Sequence, residues 1–147
     1  MTFPAGVAPV KVVIDASIAI KWVLSEPGTP HALSLLRAFE GGETDLLAPG
    51  LLLTEAGSAL SKRARRRELT AAQAHEAFRL LEARRPLLAD DSLYWRSALD
   101  LSVRHQMSFW DCMYLALAIE HRCDLVTADA RFHRTAARHY PFVSLLK

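Results

Sequence analysis

The chain has 147 residues, 51% of them hydrophobic, which is enough for one compact core and leaves no length for a second domain. Lys and Arg number 18 against 16 Asp and Glu, so no bulk basic field argues for nucleic acid, and such affinity would have to rest on local patches. The two cysteines, Cys112 and Cys123, lie in apolar segments without a C-x-x-C pair or a His at zinc-finger spacing, which argues against structural zinc and for buried thiols in a reduced, cytoplasmic protein.

Residues 1–9, with two prolines and a glycine, read as a flexible lead-in without the basic start of a secretion signal, and 10–147 as one domain. Val10 to Ile14 is a β-branched run that reads as a buried parallel strand closed by Asp15. Ala16 to Leu24 reads as a helix with Asp15 as its N-cap, and Glu26-Pro27-Gly28-Thr29-Pro30 ends it before a second helix from about His31 to Phe39. Asp45 to Pro49 is a short strand leading into a helix that carries Glu55 and runs to about Arg66; another helix covers Thr70 to about Arg84. Leu87 to Ala89 reads as a third strand, followed by a helix over Leu93 to His105 with its apolar positions at Leu93, Ala98, Leu101 and Val103.

The stretch from Ser108 to His121 is apolar on nearly all sides, through Met113, Leu115, Leu117 and Ile119, which marks it as the central buried helix; it is far too short to cross a bilayer. Leu125 to Thr127 is then a strand ending near Asp129, Ala130 to about Arg138 a helix, and Phe142 to Leu145 a last strand. Alternation of strands and helices predicts a three-layer α/β/α sandwich around a central parallel sheet.

Asp15, Glu55, Asp111 and Asp129 each fall where an apolar run ends and a helix begins, which in a parallel fold is the carboxyl edge of the sheet. Two carboxylates about 4 Å apart at an effective dielectric near 20 repel by about 4 kcal/mol, a cost that a divalent cation removes. Taken singly, each acid also has a structural explanation. Asp15 suits an N-cap, Ser108 and Asp111 form an S-x-x-D capping box, Glu55 suits a first helical turn, and Asp129 suits a turn after a strand. Caps can be Ser, Thr or Asn, however, and all four positions carry a charge.

The segment V-V-I-D-A-S-I-A-I-K-W (Val12 to Trp22) resembles the first motif of the PIN-domain ribonucleases, specifically the VapC toxins of bacterial type II toxin–antitoxin pairs. A-P-G-L-L-L-T-E-A (Ala48 to Ala56), S-F-W-D-C-M-Y-L-A-L-A (Ser108 to Ala118) and L-V-T-A-D-A-R-F (Leu125 to Phe132) are similar to the second, third and fourth motifs, in order and at matching separations. The lead-in before the first strand and Cys112, where Ala is common, depart from the pattern.

The resemblance implies a PIN-like fold and a metal-dependent endoribonuclease with Asp15, Glu55, Asp111 and Asp129 as its catalytic acids. Asp15, Asp111 and Asp129 would hold the principal ion, Mg²⁺ or Mn²⁺, as hard oxygen donors. It also implies a cognate VapB-type antitoxin, an RNA substrate and a homodimer. Ser17 and Thr127 are candidates to hydrogen-bond a carboxylate or a metal-bound water. Lys62, Arg63, Arg65, Arg66 and Arg67 form either a solvated helix end or a patch that contacts RNA phosphates. Trp22, Trp95 and Trp110, each inside an apolar run, are expected in the core.

The competing readings are a catalytically silent PIN-like RNA-binding or interaction module, and a phosphatase of the haloacid-dehalogenase type. The latter wants an Asp where Ser17 stands.

Overall fold

The computed structural model describes residues 8–147 and places Val10–Ile14 (β1) at the centre of a five-stranded, all-parallel sheet. Its partners are Thr44–Pro49 (β2), Leu87–Ala89 (β3), Asp124–Thr127 (β4) and Val143–Leu145 (β5), in the spatial order β3-β2-β1-β4-β5. In the central register Val13 pairs with Leu47 on one side and Leu125 on the other. The lead-in expected over residues 1–9 lies, through residue 7, outside the described residues.

Helices Ala16–Val23 (α1), Thr29–Glu40 (α2), Leu51–Arg65 (α3), Ala71–Ala83 (α4), Trp95–His105 (α5), Phe109–His121 (α6) and Ala130–Ala136 (α7) make the outer layers of the α/β/α sandwich. Helix α6 packs across β1, β2 and β4. Its residues from Cys112 to Ala118 are all buried, as an all-round apolar helix must be, although Ile119 emerges at 38% exposure as the helix reaches the surface. Val13, Ile14, Ile18, Leu52, Leu115 and Leu125 are wholly buried around this axis.

The order of the strands fixes where a site can form. The chain builds outward from β1 through β2 to β3, then crosses back to add β4 and β5 on the other side of β1. The connections therefore diverge between β1 and β4, and the crevice beyond the carboxyl ends of those two strands is the ligand-binding position of an open parallel sheet.

Several expectations are corrected. Helix α2 starts at Thr29 rather than near His31, because Pro30 sits in its first turn, where its missing N–H costs nothing. Helix α5 starts at Trp95 after a 3-10 turn over Asp91–Leu93, and its buried side is Ala98 and Leu101, while Leu93 and Val103 are exposed at 70% and 66%. Trp22 is buried, with its indole Nε1 donating to the Ala32 carbonyl at 2.8 Å, but Trp95 and Trp110 are more than half exposed. The S-x-x-D box is half formed, since the Asp111 N–H donates to Ser108 Oγ at 3.5 Å without a reciprocal bond from the carboxylate. A complete box stands instead at T-x-x-Q, Thr70 with Gln73, at the start of α4.

Candidate active site

Asp15 ends β1 and caps α1, accepting from the Ser17 N–H at 3.1 Å. Ser17 Oγ donates to the same carboxylate oxygen, and Thr127 Oγ1 at the end of β4 donates to the other. The two hydroxyls are themselves held: Ser17 Oγ accepts from the Ala128 N–H at 2.9 Å and Thr127 Oγ1 from the Asp129 N–H at 3.0 Å. Two strands and the turn after β4 thus lock one carboxylate in place. Burial pushes the Asp15 carboxyl up to about 6, against the opposing pull of Ser17 and Thr127, with the Glu55 charge adding to the rise.

Asp129 caps α7, its Oδ1 accepting from the N–H groups of Arg131 at 2.9 Å and Phe132 at 3.1 Å. Glu55 stands in the second turn of α3, beyond the first-turn position expected for it, and accepts from the Tyr114 hydroxyl at 2.6 Å. Burial raises its pKa, with the Tyr114 bond opposing. Burial also raises the Tyr114 hydroxyl far out of the titrating range, with the Glu55 charge next, so Tyr114 acts as a fixed donor. Tyr114→Phe is expected to cost about 1.5–3 kcal/mol of stability, the value of one hydrogen bond to a charged group, and to lower kcat by loosening Glu55. Thermal melts and single-turnover cleavage check both parts.

Asp111, in the first turn of α6, differs from the others. Among the described residues no hydrogen bond or ion pair holds its carboxylate. Burial, then the charges of Asp15, Asp129 and Glu55, push it up to about 7, and Arg131 offsets only part of that rise. A cap needs no such environment. The four acids line one open cavity of about 350 Å³ at the crevice between β1 and β4. The larger apolar groove, about 500 Å³ between α3 and α4, holds none of them.

The donor set fits a hard divalent cation: four carboxylates and two hydroxyls, with no imidazole or thiolate among the cavity's lining residues. Among the described residues no three Asp, Glu, His or Cys side chains stand as a ready coordination group.

Lys21, Glu26 and Arg63 line the same cavity, and of these only Arg63 was singled out from sequence. It does not belong to the exposed basic run. Glu55, Ala59 and Arg63 recur at i, i+4 and i+8 on one face of α3, so Arg63 turns into the cavity and pairs with Glu26, while Lys62, Arg65, Arg66 and Arg67 stay on the exposed surface. Tyr114 was missed although it follows Asp111 by one helical turn.

Residues 12–138 match the family model described as PIN domain. Ribonuclease VapC9 of Mycobacterium tuberculosis is 30% identical over 134 residues, covering 88% of this chain and 94% of that protein, and a VapC ribonuclease of Mycobacterium bovis matches equally. Among solved structures, PAE2754 from Pyrobaculum aerophilum superposes with a TM-score of 0.70 at 22% identity, covering 94% of this chain and 92% of that one. VapC20 of Mycobacterium tuberculosis, a sarcin-ricin loop cleaving toxin, superposes with a TM-score of 0.61 at 15% identity, covering 85% and 95%. At those identities both structures bear on the fold alone.

Proposed function

The chain belongs to the PIN-domain family, and within it to the VapC-type ribonucleases; from that premise we propose that it is the endoribonuclease toxin of a VapBC module, with Asp15, Asp111 and Asp129 holding a divalent ion. The observation that carries the site is the Asp111 carboxylate, half-buried, without a protein partner and raised to about 7 by burial and then by three other acids. A folded protein tolerates such a group where a cation or substrate compensates it.

When bound, Mg²⁺ or Mn²⁺ supplies charge neutralisation at the scissile phosphate and an activated water. The chain's own residues do the rest. Asp15 is held rigid by Ser17 and Thr127, so its two oxygens keep a fixed direction at the sheet edge. Glu55, held by Tyr114, orients water in the cavity. The Asp129 Oδ1 caps α7, and among the described residues its other oxygen accepts no hydrogen bond, while the residue lines the cavity.

Two surfaces support the expected partners. The α3–α4 groove, lined by Gly57, Leu60, Ala64, Ala74 and Phe78, suits the apolar segment of a VapB-type antitoxin. Helix α5 exposes Trp95, Leu99 and Val103 at i, i+4 and i+8, one apolar stripe that suits a second copy of the chain. No described helix is long and apolar enough to cross a membrane.

The purified chain is expected to cut single-stranded RNA in Mg²⁺ or Mn²⁺ and to stop when EDTA is added. Undiminished cutting in EDTA overturns the metal assignment. No cutting of any RNA by a folded, antitoxin-free preparation favours the silent module instead.

A further inference from the structure

The cavity has a cationic wall as well. Lys21 from α1 and Arg63 from α3 line it together with the four acids, both bonded to Glu26 in the turn between α1 and α2. That turn is itself fixed. Thr29 Oγ1 accepts from the Glu26 N–H at 3.0 Å and lies 3.1 Å from the carbonyls of Lys21 and of Leu24, to which it can donate. Gly28 takes a positive φ of 89°, which disfavours any side chain there, and a Cβ would press on Leu146 at 3.3 Å. The Glu26 carboxylate is therefore presented from a rigid turn, and the two cations are anchored to it.

This wall is unusual for an ion network because of how little of it is solvated. The side chains of Lys21 and Glu26 are only 15% and 16% exposed, and that of Arg63 is 34%. Two cations to one paired anion leave a net positive charge in the cavity, and that charge is available to a further anion. Among the described residues neither cation is saturated. The Lys21 ammonium spends one of three donors on Glu26, at 3.3 Å, and the Arg63 guanidinium one of five N–H groups.

We infer that Lys21 and Arg63 are the phosphate-binding wall of the cleft, gripping a backbone phosphate of the RNA through these spare donors, and that Glu26 is the positioning residue that holds both in place. The inference rests on the ribonuclease reading and deepens it. An RNA strand approaching four carboxylates is repelled, and a pair of anchored cations in the same cavity gives its phosphate a defined seat. A planar guanidinium with free N–H groups suits phosphate oxygens in particular. Lys62, Arg65, Arg66 and Arg67 lie outside the cavity and attract RNA at long range without orienting it.

The test uses a short single-stranded RNA oligonucleotide of mixed sequence. Its affinity is measured in EDTA across a salt series, and its cleavage in Mg²⁺ gives kcat and KM. Lys21→Gln and Arg63→Gln are each expected to weaken binding about tenfold and to reduce the salt slope by about 0.7, the value for one phosphate contact on a single strand. Arg79→Gln, which breaks an exposed ion pair with Glu76 on α4, is expected to change neither. Glu26→Gln keeps both cations, so its salt slope should stay while KM rises several-fold; a merely structural Glu26 would lower the melting temperature and leave KM of the folded protein unmoved.

If Arg63→Gln alone fails to fold, Arg63→Gln with Glu26→Gln removes the carboxylate left with Lys21 as its one cation and restores a measurable protein. A parent chain that neither binds nor cuts RNA defeats the ribonuclease reading. A parent that does both, with Lys21→Gln and Arg63→Gln keeping its salt slope and KM, defeats this inference alone.

Discussion

Asp111→Asn is expected to abolish RNA cleavage, by a thousandfold or more, and at the same time to melt higher than the parent at pH 8. A divalent ion contributes several kcal/mol of charge stabilisation to phosphodiester hydrolysis, and about 4 kcal/mol corresponds to roughly a thousandfold in rate. Loss of one of the three proposed ligands forfeits most of that. The gain in stability has a separate origin. The Asp111 carboxylate is raised to about 7 by burial and by the charges of Asp15, Asp129 and Glu55, so in metal-free protein above that pH it is held ionised in an unfavourable place. An amide of the same shape carries no charge to repel and makes no demand for a counter-ion. Asp100→Asn, on an exposed acid of α5 paired with Arg104, should leave cleavage and the difference between pH values unchanged. An Asp111→Asn protein that still cuts would remove the carboxylate cluster as the catalytic centre, and one that is inactive and less stable would mean that Asp111 serves the fold.

The opposite signs of these two effects separate a functional acid from a cap, a distinction the sequence leaves open. Position along the chain was legible because hydrophobic runs end abruptly at the sheet's carboxyl edge, and Asp15 and Asp129 stand at two of those ends. Both also turn out to cap helices, so for them the structural and functional readings coexist in one side chain. Asp111 was legible as a cap and is not one; its backbone N–H is capped by Ser108 while its carboxylate is left free. Which side of a short helix end a carboxylate faces depends on the packing of α6 across three strands, information that is spread over the whole chain.

The cationic wall was hidden for the same reason and for a second one. Arg63 sits in a run of basic residues, and a run invites treatment as one patch, but successive residues on a helix point about 100° apart. Read at i, i+4 and i+8 from Glu55, the same residue belongs to the cavity. Lys21 follows Ser17 by four residues on α1 and shares its face by the same rule. Glu26 carried no such signal, because a turn residue's direction is set by Thr29 and Gly28 rather than by a period. Trp95 and Trp110 were misplaced in the opposite sense. Their apolar neighbours suggested core, yet α5 buries only its Ala98 and Leu101 side, and Trp110 stands in the first turn of α6, before the buried run that starts at Cys112.

The stability of the metal-free protein is expected to fall as pH rises from about 4 to about 7, and Mg²⁺ is expected to cancel that fall. In the unfolded chain Asp15 and Asp111 ionise near the ordinary value of 3.8, whereas in the folded protein they are raised to about 6 and about 7. Between these limits the folded state binds more protons than the unfolded one, so the slope of unfolding free energy against pH is negative. The contribution is fully present below about pH 4, decreases through the window and is gone above about 7. A bound cation replaces the two protons, so its affinity must rise over the same interval. At pH 5 the acids hold their protons and Mg²⁺ should shift the melting temperature little. At pH 8, with Mg²⁺ at about a hundred times its dissociation constant, the expected stabilisation is about 2.7 kcal/mol, roughly 5–10 °C for a chain of this size. Thermal melts at both pH values, with and without Mg²⁺, measure this. Asp111→Asn should flatten the metal-free slope and lose most of the Mg²⁺ shift. Equal Mg²⁺ shifts at pH 5 and pH 8 in the parent would show that the ion binds somewhere other than these carboxylates.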